Sequence, residues 1–155
     1  MKRIKVLFIT LFITTAAIAQ TVNFSGSFKL NTEKSKLNQE FSLAPKEIII
    51  SQDGNNLNVE KHSNFQEQDY ITKDKFTLDG KECINPGWQE TQKKSTAVWS
   101  DDKNSLKIIS KIPMNDGGEV VITEIYKMDG TNMVIESSAT SSYGDMSETM
   151  FYDKQ

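Results

Sequence analysis

Arginine, histidine and cysteine are almost missing from this chain, each occurring once in 155 residues, as Arg3, His62 and Cys83. A single imidazole cannot build a multi-histidine zinc centre, and any Ser-His-Asp triad would have to use His62. A single thiol allows no intrachain disulfide, so the hydrophobic core must hold the fold without a covalent staple. No Gly-x-Ser-x-Gly segment marks a nucleophile elbow, and Asn115-Asp116-Gly117-Gly118-Glu119 lacks the alternating acids of a calcium loop. Together these shortages predict a chain that is not an enzyme, with no catalytic residues, no metal site and no cofactor.

Long hydrophobic runs are also scarce, with one exception at the start. Lys2, Arg3 and Lys5 precede an apolar stretch from Val6 to Ile13, and Ala17-Ile18-Ala19 supplies a small-x-small cleavage site. That pattern is a secretory signal peptide, too short to span about 30 Å of hydrocarbon as an anchor. Residues 1–19 are therefore expected to be removed, leaving residues 20–155 as one exported domain, periplasmic or extracellular, with no stable membrane anchor. Losing Lys2, Arg3 and Lys5 from 18 basic residues leaves 15 against 21 acidic ones, a formal charge of −6. Nucleic acid is excluded as a partner because it needs a basic footprint. The mature chain also loses its one guanidinium, and with it the bidentate fork that grips carboxylates and phosphates.

What remains is rich in turn signals and alternation. Asp53-Gly54-Asn55-Asn56, Asp79-Gly80, Asp101 to Asn104, Asn115 to Gly118, Asp129 to Asn132 and Tyr143-Gly144-Asp145 are turn clusters, rich in the residues that tolerate positive φ. From Asp101 onward they recur roughly every 14 residues, room for one strand each and too little for a strand plus a helix. Between them apolar residues alternate with polar ones: Phe24, Gly26, Phe28 and Leu30; Leu57 and Val59 against Asn58, Glu60 and His62; Tyr70, Phe76 and Leu78; Leu106, Ile108 and Ile112. The prediction is all-β, an antiparallel up-and-down meander of about 8–10 strands, covering 24–31, 46–52, 57–64, 68–78, 81–85, 90–100, 105–112, 119–127, 132–140 and 146–153. A meander of this size exposes edges unless it closes, so the first strand is expected to pair with the last. Residues 32–43 do not alternate and are expected to form a short irregular or helical segment.

The run Phe24-Ser25-Gly26-Ser27-Phe28-Lys29-Leu30-Asn31, with Glu33-Lys34-Ser35, Phe76 to Glu82 and the terminal Met146 to Gln155, resembles small secreted bacterial lipocalin-like proteins of the calycin superfamily. That resemblance covers nearly the whole mature chain and implies a lipocalin-like barrel that binds a small hydrophobic molecule. Phe28, Tyr70, Phe76, Trp88, Trp99, Tyr126, Met133 and Met150 are the candidate barrel-lining residues. Two functions stay open: a binder of a small hydrophobic ligand, or a solid barrel whose lining residues only fill it, acting as a protein-interaction or structural module in the cell envelope. His62 is assigned to a wet face, Cys83 to a small buried apolar position, and the carboxylates mostly to turns and solvent-facing positions.

Overall fold

The alternating segments become ten antiparallel strands: β1 (Gly26–Leu30), β2 (Glu47–Asp53), β3 (Asn56–Phe65), β4 (Gln68–Thr77), β5 (Cys83–Pro86), β6 (Gln92–Trp99), β7 (Ser105–Pro113), β8 (Glu119–Asp129), β9 (Asn132–Ser141) and β10 (Gly144–Lys154). The computed structural model describes residues 21–39, 41–65 and 67–155, so the expected leader lies outside the described residues. Apart from one 3₁₀ turn at Trp88–Glu90, no helix occurs among the described residues.

The strands form one sheet in the order β4-β3-β2-β1-β10-β9-β8-β7-β6-β5. The expected pairing of first strand with last is present, with Phe28 opposite Lys154 and Leu30 opposite Tyr152. The two edges therefore fall mid-chain, at β4 and β5, and the barrel is nearly closed. Side chains bridge this seam where a backbone ladder is missing. The Lys75 N–H donates to Asn85 Oδ1 (2.8 Å), and Asn85 Nδ2 donates to the Lys75 carbonyl (3.1 Å), so one buried amide does the work of a β-bridge. Beside it the Thr77 N–H donates to Cys83 Sγ at 3.3 Å. Cys83 is thus a half-buried seam residue with polar neighbours, a correction to its expected apolar burial.

Inward-facing residues divide the barrel into two halves. Phe24, Phe28, Leu57, Phe76, Leu106, Met133 and Tyr152 pack one end solid. Phe24 plugs it, its ring stacked on Trp99 (centroids 5.8 Å) and edge-on to Tyr126 (6.1 Å). Gly26, at φ +153°, lets the chain pass over Phe28; a Cβ there would lie 3.2 Å from the Phe28 ring and from Lys154 Cε.

The connection from β1 to β2 is irregular, with one turn near Thr32 and no helix in its described part. It is tied down at several points: Lys36 and Thr149 exchange backbone hydrogen bonds (2.8 and 3.0 Å), the Phe151 N–H donates to Ser35 Oγ (2.9 Å), and the Tyr152 hydroxyl donates to the Pro45 carbonyl at 3.0 Å. That tether holds Ser42 to Pro45 across the other, unfilled half of the barrel.

Candidate ligand-binding site

The unfilled half is a cavity of about 570 Å³. Its apolar wall comes from Leu43, Ala44 and Pro45 on the β1–β2 connection, Tyr70 and Trp88 near the mouth, and Ile112, Ile122, Ala139, Met146 and Met150 on β7 to β10. Leu43, Tyr70 and Trp88 each keep 41–49 % of their surface exposed. The mouth therefore carries apolar and aromatic groups, while the charged groups of the lining are buried deeper.

Between the mouth and the solid end runs a belt of charged and hydroxyl side chains. The β-register explains it: Val59 faces Asp74 across β3 and β4, Ile108 faces Glu124, Glu124 faces Ser137, and Ser137 faces Glu148. Lys61, one inward step further along β3, reaches across the barrel and donates to both Glu124 oxygens (2.6 and 2.8 Å). Lys93 donates to Asp74 Oδ2 at 2.7 Å, and the Ser95 and Ser110 hydroxyls meet at 2.8 Å. Glu148 accepts from the Asn38 N–H (2.9 Å), tying the belt to the β1–β2 connection. Asp74 is 4 % exposed, and no group among the described residues donates to its Oδ1.

Electrostatics fix the protonation of part of the belt. Burial by itself would lower the Lys61 pKa, but the Glu124 charge, aided by Tyr126 and Asp74, holds it well above the ordinary lysine range. Lys61 is a permanent cation. Burial raises the Tyr126 phenol, with Glu124 adding to the effect and Lys61 partly offsetting it. Burial likewise raises Tyr152. Both phenols are neutral donors at physiological pH.

Of the residues expected to line the barrel, Tyr70, Trp88 and Met150 are on the cavity wall. Phe28, Phe76, Tyr126 and Met133 are buried in the solid end, and Trp99 packs against it. Inward parity does not distinguish the filled half from the unfilled half, so all eight appeared equivalent. The belt is not among the expectations from sequence, which place the carboxylates mostly on turns and solvent faces. Asp74, Glu124 and Glu148 point inward instead, on the same parity as Phe76, Tyr126 and Met150. Charged residues on an apolar parity were the available signal: Lys61 follows Leu57 and Val59 at a spacing of two, and Lys93 precedes Ser95 and Ala97 in the same way. His62 sits on the outer face of β3, 32 % exposed, with its Nε2 at 2.7 Å from Glu60 Oε1.

Among the described residues no group of three or more His, Cys, Asp or Glu is arranged to hold a metal ion, and no helix is long and apolar enough to cross a membrane. The barrel is similar to a zebrafish ileal bile acid-binding protein complexed with cholic acid, at 14 % identity and a TM-score of 0.58, over 85 % of this chain and 98 % of that one. It is also similar to lipid binding protein 8 of Caenorhabditis elegans (13 % identity, TM-score 0.55, 85 % and 95 % covered). A third likeness is to the fatty-acid-binding protein of Manduca sexta (14 % identity, TM-score 0.50, 86 % and 100 % covered). No protein-family model and no curated protein sequence matches the chain. The chain shares with these binding proteins the architecture of a nearly closed antiparallel β-barrel.

Proposed function

We propose that this chain is an exported, non-catalytic binding protein that takes one small, largely hydrophobic molecule into its cavity. The carrying observation is the cavity: about 570 Å³, within the roughly 300–1,000 Å³ of small-molecule sites, with an apolar mouth and a few convergent polar groups beneath it. Neighbours of the same architecture that bind a bile acid or fatty acids support the ligand class. The leader pattern of residues 1–19 supports export, to the periplasm or the medium. The alternative of a barrel packed throughout, serving as an interaction or structural module, keeps only the solid end in its favour.

Native mass spectrometry of the protein purified from the envelope or medium of its own host, followed by organic extraction, tests both parts. The expected mass is that of a chain starting at Gln20 carrying one small molecule. A bare polypeptide that also fails to take up an apolar fluorescent probe would overturn the binding function. A mass retaining residues 1–19 would overturn export.

A further inference from the structure

The polar belt constrains the head group of the ligand, an inference that rests on the binding function proposed above. Its formal charges are Lys61 and Lys93 against Asp74, Glu124 and Glu148, one negative charge in excess. Both lysines already have their charge compensated: Lys61 is paired with both oxygens of Glu124, and Lys93 with Asp74 Oδ2. A carboxylate entering the belt would meet the excess negative charge and would have to share an ammonium already neutralised by a buried carboxylate.

The unsatisfied group points the other way. Asp74 lines the cavity and is 4 % exposed, and its Oδ1 is an acceptor to which no group among the described residues donates. Such an atom costs stability unless a donor reaches it. The terminal torsion of an aspartate is broad, so a turn of the carboxylate presents one oxygen to the cavity while Lys93 keeps the other. We propose that the cavity selects an amphipathic molecule whose polar end is an uncharged or cationic hydrogen-bond donor, a hydroxyl or an amine, which donates to Asp74, and that it discriminates against a carboxylate on the same hydrocarbon.

Competition of a 1-alkylamine, a 1-alkanol and a fatty acid of one chain length against a bound apolar fluorescent probe tests this. The amine and the alcohol are expected to bind at least about tenfold more tightly than the acid, the scale of one charge-assisted hydrogen bond. Asp74→Asn sharpens the test. Lys93 can only donate, so the new amide must turn its oxygen to Lys93 and leave its NH₂ facing the cavity. The amine should then lose about tenfold and the acid should gain. A wild-type protein that binds the acid as tightly as the other two overturns the proposal without any variant, and so does a preference that Asp74→Asn leaves unchanged. If the apolar probe and all three ligands are refused, the binding function itself fails. If Asp74→Asn does not fold, a crystal structure of the wild-type amine complex decides: nitrogen at hydrogen-bond distance from an Asp74 oxygen supports the proposal, and a head group elsewhere with only water at Asp74 overturns it.

Discussion

Lys61 and Glu124 are the residues whose removal should be felt most, because their side chains are only 15 % and 12 % exposed and depend on each other. Taking one charge away leaves the other desolvated and unpaired, whereas removing both leaves nothing to compensate. Lys61→Met is therefore expected to cost about 3 kcal/mol in urea unfolding, and the double change Lys61→Met with Glu124→Leu distinctly less. Tyr126 offers a second test. Its folded-state pKa is raised by burial, so the protonated phenol contributes stability that is complete below the unfolded value of about 10 and is lost as pH rises toward the folded one. Stability followed by chemical denaturation from neutral pH upward should fall above about pH 10. Tyr126→Phe, which gives up a weak 3.5 Å bond to Glu124 and the contact of the hydroxyl with Lys61, should flatten that limb.

At the scale of elements, the seam between β4 and β5 is where the barrel is weakest, because one amide replaces a ladder. Asn85→Ala would leave the Lys75 N–H and carbonyl without their cross-seam partners. The expected result is a loss of about 2 kcal/mol and faster amide exchange at Lys75, with little change at the β8–β9 pair on the far side of the barrel. The strands themselves were legible from alternation and turn chemistry: Asp129-Gly130-Thr131-Asn132 fixes the turn between β8 and β9, with Gly130 at φ +63°, and all ten segments fall near their expected places. The seam was not legible. A meander read by parity alone closes edge to edge wherever its ends meet, and nothing in Cys83-Ile84-Asn85-Pro86 announces that a side chain will stand in for a backbone bridge. The irregular β1–β2 connection was half legible: its lack of alternation was plain, but its tethers at Thr149 and Tyr152 are long-range contacts that no local pattern encodes.

For the molecule as a whole, the decisive feature is that inward-facing side chains fill one half of the barrel and leave the other open. Volume accounts for the difference. Phe24, Phe28, Leu57, Phe76 and Leu106 are large and meet across the solid end, while Ser63, Ser110, Ser137 and Ala139 face the cavity with short side chains that cannot reach one another. Periodicity shows which way a residue points but not what it faces, so the aromatic candidates split between the two halves, and Lys61, Asp74, Lys93, Glu124 and Glu148 went unnoticed.

The most direct test of this account is titration of an apolar fluorescent probe into wild-type protein and into Ala139→Trp, whose indole should fill the cavity from β9 without disturbing the solid end. One saturable site in the wild type, lost in a variant that melts at or above the wild-type temperature, is the predicted result. Equal uptake by both proteins, or none by either, would contradict a binding cavity in this half of the barrel.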